Sequence, residues 1–237
     1  MKRIAGLGIL CLSLIASVWA DSGEKERDRI KESENVLKDI LEAPDKGVPL
    51  DVMDGTKCAI VIPSLKKGAF IFGGSYGRGV MMCRTGENFK GPWSPPIMMA
   101  TESGSVGFQI GGEGIDVVIL VLNDDGARTL MKSKVKLGAD ASVAAGPVGR
   151  TAEASTTGAF KAQMLSYSRS RGVFAGISLS GASLRVDNEA DERLYGKKVT
   201  SEQIFKGEVQ MPEVARPMAA TLKRATRESK EEKSESK

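Results

Sequence analysis

Residues 57–83, KCAIVIPSLKKGAFIFGGSYGRGVMMC, decide the fold class. CAIVIP, AFIFGG and GVMMCR are short apolar runs broken by Pro63, by Lys66-Lys67-Gly68 and by Ser75-Tyr76-Gly77-Arg78. Runs of this length, rich in Ile, Val and Phe and set off by turn residues, read as strands. The pattern continues outward. VGFQIGG and IDVVILVLN follow, split by Glu113-Gly114, and then come three longer β candidates at 132–144, 158–168 and 172–186. Asp124 or Asp125 is placed to cap a short helix through Met131, and Thr200 or Ser201 to cap another before Ile204-Phe205. Upstream, residues 24–43 carry helical periodicity: Ile30, Leu37 and Leu41 share a face with Val36 and Ile40 beside it, and Pro44 and Gly47 end the run. The expectation is a mainly β (α+β) chain. It is a single antiparallel β-sandwich or barrel-like domain with an N-terminal amphipathic helix and short peripheral helices.

Further upstream, Lys2 and Arg3 precede an uncharged run from Ile4 to Ala20, and Val18-Trp19-Ala20 offers small residues around a cut before Asp21. This is the layout of a secretory signal peptide, so residues 1–20 are expected to be removed and the product to be periplasmic or extracellular. The folded body is then 21–222. The charged end 223–237, KRATRESKEEKSESK, has no apolar residue beyond Ala225 and reads as disordered chain.

The charge account follows from that division. The chain of 237 residues has 34 basic and 30 acidic residues, a net of +4. Lys2 and Arg3 would leave with the signal, and the end segment carries six basic against four acidic residues. The body is left balanced, so no basic domain exists to hold nucleic acid. Histidine is absent altogether, which excludes Ser-His-Asp and Cys-His nucleophiles and histidine-ligated zinc or iron. No cofactor is expected. In an oxidising compartment Cys58 and Cys83 form an even pair that can be a disulfide, or two buried thiols behaving as small hydrophobes.

Three short patterns suggest chemistry and have simpler explanations. Ser64-Leu65-Lys66-Lys67 has the S-x-x-K spacing of penicillin-recognising enzymes, without their S-D-N and K-T-G companions. Residues 73–79, GGSYGRG, lack the Lys-Ser/Thr of a phosphate loop and sit between two strands, as a hairpin turn would. Asp187, Glu189 and Asp191 lack EF-hand spacing and read as turn and cap residues.

Basic rows are the remaining candidates. Lys132, Lys134 and Lys136 alternate along one strand face, Arg169 and Arg171 repeat the spacing, and Lys66-Lys67 lies in a turn. Such rows suit anionic lipid headgroups, or they are the solvated side of a half-buried sheet. Lys25, Arg27, Arg29, Lys31 and Lys38 give the N-terminal helix the character of one lying on an anionic membrane, or of one packed on its own domain.

KGAFIFGGSYGRGVMM, GFQIGGEGIDVVILVLN, VKLGADASVAAGPVGR and MLSYSRSRGVFAGISLSGASL, in this order over about residues 35–213, resemble the blocks of the SYLF domain family. The resemblance implies a lipid-binding module without enzymatic activity. Eukaryotic members bind phosphoinositides through an amphipathic helix and basic residues near the domain's start, and some bind actin. Lys25, Arg27, Arg29, Lys31 and Lys38 match that role by location and character. The signal-like leader makes the chain similar to an exported bacterial branch of the family. The partner expected from the resemblance is an anionic phospholipid or membrane surface in the cell envelope. An envelope structural or protein-interaction module is the alternative.

Overall fold

The computed structural model describes residues 23–41, 47–69, 73–105, 114–132, 134–148, 161–170 and 173–235. The signal-like leader, Arg171 and the whole VGFQIGG run lie outside them. Among the described residues nine strands form one sheet: β1 (Cys58–Ala69), β2 (Gly73–Cys83), β3 (Ile97–Ser105), β4 (Gly114–Val121), β5 (Lys134–Lys136), β6 (Val143–Ala145), β7 (Met164–Ser170), β8 (Val173–Gly176) and β9 (Ser183–Val186). Their spatial order is β5-β9-β3-β2-β1-β4-β7-β6, with β8 also paired to β7. The helices are α1 (Glu24–Leu41), α2 (Leu50–Gly55), α3 (Asp124–Leu130), α4 (Asn188–Tyr195), α5 (Ser201–Phe205) and α6 (Arg216–Glu235).

The fold is therefore α+β, and two parts of the expectation are corrected. The sheet is mixed, because β6 runs parallel to β7. It is also one sheet curled into a half-barrel, so the barrel-like alternative holds in part and the sandwich of two sheets does not. The reason is visible in β1 and β4. CAIVI and VVILV are buried on both faces, and an unbroken apolar run does not say whether a second sheet or a layer of helices covers it. Ala59, Val61, Met82, Val118 and Leu120 pack on one side with residues of α1, α2, α4 and α6. Cys58, Ile60, Ile62, Ile119 and Val121 pack on the other with residues of α3, α5, β5 and β9.

At the centre, β1 and β2 are long antiparallel partners. The Lys66-Lys67-Gly68 turn expected from sequence is strand, since β1 continues to Ala69. The interruption falls earlier, as a register shift between Val61 and Lys66. Pro63 has no N–H for the ladder, Ser64 takes φ 52°, and the Ser64 N–H turns to Asp116 Oδ1 at 3.0 Å. The same register sets Cys58 opposite Cys83, with Cα atoms 4.0 Å apart and the sulfurs bonded.

The long β candidates are shorter than expected. From 132–144 only β5 and β6 form strand, because Gly138 at φ +87° turns the chain and Asp140 accepts the Lys136 N–H at 2.7 Å. Lys132 precedes the strand at the end of α3, so it does not continue the row of Lys134 and Lys136. Residues 172–186 divide into β8 and β9 around Gly181 at φ +90°. The cap of α3 is Asn123, one residue before the expected aspartates, and Thr200 caps α5 in a reciprocal pair with Gln203. The charged end read as disordered is helical through Glu235. α6 runs from Arg216 to Glu235 across the expected boundary at Leu222, and it buries Met218, Leu222 and Thr226.

Candidate functional site

α1 is amphipathic, and its apolar stripe faces inward. Ile30, Val36, Leu37 and Ile40 are buried in the core shared with α6, β1 and β2. Its outer face carries Lys25, Arg27, Lys31 and Lys38, all exposed, among Glu24, Asp28, Glu32 and Asp39. Lys31 pairs with Asp28 at 3.0 Å. Arg29 differs from its neighbours: it is turned inward toward the buried Glu26, 4.0 Å away, and burial pulls its guanidinium below its ordinary pKa.

Glu26 belongs to an ionic knot joining α1, β2 and α4. It accepts from Arg193 Nε at 2.9 Å. Close by, Asp187 caps α4 through the Ala190 N–H at 3.2 Å and stands 3.4 Å from Arg78. Arg78 in turn donates to the Tyr76 hydroxyl at 2.6 Å, the main reason its guanidinium is held above its ordinary value. Asp191, fully buried one turn on, accepts the Met98 N–H at 2.8 Å. Burial pushes its pKa up to about 7, and the neighbouring Asp187 adds to this. The aspartates of this segment are thus cap and buried-network residues.

The expected basic rows separate in space. Lys134 and Lys136 point outward from β5 with Val135 buried between them, as the alternation predicts, but β5 is a sheet edge. There Lys134 pairs with Glu102 at 2.8 Å, and the shallow groove beside it sets Lys134 and Lys136 against Glu102 and Asp140. Lys132 is exposed. Across the sheet, Arg169 on β7 contacts Asp116 at 2.9 and 3.2 Å and also pairs with Asp39 of α1. Burial is the largest single influence on Arg169 and lowers its pKa, yet the bonds to Asp116 and Asp39 together hold it above its ordinary value. Lys66 is exposed opposite Gly114, and Lys67 lies on β1. These cations do not converge on one face. Among the described residues no group of three His, Cys, Asp or Glu side chains could hold a metal ion. No helix among them is long and apolar enough to cross a membrane.

A different set does converge, and the sequence reading passed over it. A groove of about 490 Å³ lies between the loop 84–93 and α6, lined by Arg84, Lys90, Pro92, Trp93, Ala219 and Lys223. Arg84 and Lys90 lie more than a hundred residues from Lys223 in the chain, so no periodicity links them. The signal in the sequence was Trp93 among Pro92, Pro95 and Pro96 in a loop.

The comparisons with known proteins bear on this fold directly. Residues 102–225 match the family model Ysc84, described as Las17-binding protein actin regulator. Protein YSC84 of Saccharomyces cerevisiae is 35% identical over 182 residues, covering 75% of this chain and 38% of that protein. SH3 domain-containing protein PJ696.02 of Schizosaccharomyces pombe is 35% identical over 179 residues, 74% of this chain and 40% of that protein. SH3 domain-containing YSC84-like protein 1 of Homo sapiens is 29% identical over 202 residues, 83% of this chain and 58% of that protein. The chain spans about two-fifths of the length of its yeast relatives. It belongs to the Ysc84, or SYLF, family.

Proposed function

We propose that the chain is a non-enzymatic, exported protein-interaction domain. The observation that carries this is the inward apolar stripe of α1: Ile30, Val36, Leu37 and Ile40 are committed to the core and are not presented to a bilayer. A helix that binds a membrane by its apolar face needs that face outside. The relatives' names support the same reading, since they describe binding to Las17 and regulation of actin. Export rests on the leader Lys2-Arg3 and Ile4–Ala20, and the pairing of Cys58 with Cys83 suits an oxidising compartment. In such a compartment the partner is a resident protein.

Peripheral association with anionic lipid is the second reading. It is favoured by Lys132 and Lys136, which are exposed and make no ion pair among the described residues. Co-sedimentation with vesicles of neutral and of anionic phospholipid separates the two. Equal, low recovery with both vesicle types, alongside protein cross-links formed on intact cells, supports protein docking. Recovery with anionic vesicles alone, abolished by raised salt, overturns it.

A further inference from the structure

We propose that the groove between the loop 84–93 and α6 is a docking site for an acidic protein segment that carries an apolar side chain among its carboxylates. The inference rests on the reading of this domain as a protein-interaction module and names the chemistry of its partner. The groove has two parts. Its walls are apolar, with Pro92 and Trp93 on the loop side and Ala219 and Ala220 on α6, and about 490 Å³ is room for one or two side chains. Its rim is cationic, with Arg84, Lys90 and Lys223 and no acid among the lining residues.

What sets the rim apart is that three cations border one apolar groove with no acid in its lining. Several cations elsewhere are matched, Lys134 by Glu102, Arg169 by Asp116 and Asp39, Arg193 by Glu26 and Lys57 by Asp124, while the exposed Lys132 and Lys136 border no such groove. Lys90 and Lys223 are exposed and make no ion pair among the described residues. Arg84 is held in place, not neutralised, because it donates to the carbonyls of Gly91 at 3.2 Å and Lys90 at 3.0 Å. Cations beside an apolar slot, one of them held in place, suit carboxylates flanking an apolar anchor.

The site is also preformed. Thr85 and Pro92 close the loop through a backbone bond of 2.8 Å, Gly91 donates to the Thr85 carbonyl at 2.7 Å, and Arg84 bridges to Trp93. At the loop's tip Asn88 and Phe89 are both left-handed, at φ 57° and 52°, and the Phe89 ring meets Phe205 at 5.3 Å between centroids. Two consecutive non-glycine residues in that region are costly, and they persist where the surroundings hold them. A protein segment suits the groove better than a bilayer does. The exposed large hydrophobics among the described residues are Tyr76, Val148 and Val173, and none of them lines it.

The probe is a fluorescein-labelled peptide of Glu and Asp around a central Leu-Phe, titrated with the full chain and read by anisotropy. The expected result is salt-sensitive binding that weakens about tenfold or more in the Lys90→Glu/Lys223→Glu pair. A comparable loss is expected when Leu-Phe in the probe becomes Gly-Gly. The Lys132→Glu/Lys136→Glu pair, equal in charge but on another surface, should bind as the parent does. Melting temperatures confirm folding, and Lys90→Gln/Lys223→Gln stands in should the charge reversal unfold the chain. Equal weakening in both pairs, or none in the rim pair, overturns the proposal. So does rim-dependent binding to vesicles of phosphatidylcholine and phosphatidylglycerol with no binding of the peptide, which would assign the groove to a membrane surface. Cross-links on cells that survive the rim substitutions overturn the groove and leave the docking reading intact.

Discussion

Asp191→Asn is the substitution with the clearest expected consequence. Asp191 is fully buried in α4, with one carboxylate oxygen accepting the Met98 N–H at 2.8 Å and the other receiving no hydrogen bond. Burial, with Asp187 beside it, raises its pKa from 3.8 to about 7. The folded protein therefore holds a proton in a range where the unfolded chain has released it. Stability contributed by this group is complete below about pH 4 and is lost progressively as pH rises to about 7. A shift of about three units corresponds to about 4 kcal/mol in all, of which about 2 kcal/mol falls between pH 5 and pH 7. Asparagine keeps an acceptor for Met98 and does not ionise. Urea denaturation of parent and variant at pH 5 and pH 8 should show the variant gaining about 2–3 kcal/mol on the parent between the two conditions. Using the difference between pH values removes the fixed cost of burying the amide. A variant whose stability relative to the parent is the same at both pH values would refute the reasoning.

Reduction, or Cys58→Ala with Cys83→Ala, releases a link between residues 25 apart in sequence and should cost about 3 kcal/mol in chemical denaturation. Leu37→Ala opens a cavity in the core beneath α1 and should cost about 3 kcal/mol, whereas a helix free to leave for a membrane would tolerate it; thermal melting in the absence of lipid reads the difference. Gly146→Ala would push a methyl group into the buried Tyr167 ring, so a lowered melting temperature is expected, with no recovery from a second substitution Tyr167→Phe, which keeps the ring, and partial recovery from Tyr167→Leu.

Particular residues explain how far the sequence could be read. CAIVI, GVMMC and IDVVILV were legible as strands because apolar β-rich runs end at Pro, Gly and charged residues, and the 24–43 helix was legible from its spacing. The family was legible from whole blocks such as AAGPVGR. One glycine of that block shows why it is glycine: Gly146 packs where a Cβ would fall on Tyr167. The candidate site was much less legible. Arg29 and Arg169 carry the same charge as Lys38 and Lys136, yet one is packed against Glu26 and the other is claimed by two aspartates. Glu26 and Arg29 are i, i+3 neighbours on α1, but nothing local says that this pair is turned inward, and Asp39 and Asp116 lie on different elements from Arg169.

By itself, then, the sequence determined the balance of charge, the absence of imidazole chemistry, the central strands, the amphipathic helix and the family. These depend on composition and on neighbours a few positions apart. Only the tertiary structure decided that the sheet is mixed and covered by helices, that the stripe of α1 faces inward, and that the charged end is helix. It also decided which cations remain without an acid. Burial and ion pairing are set by residues distant in the chain, and Arg84, Lys90 and Lys223 come to share one groove only when α6 packs beside the loop 84–93.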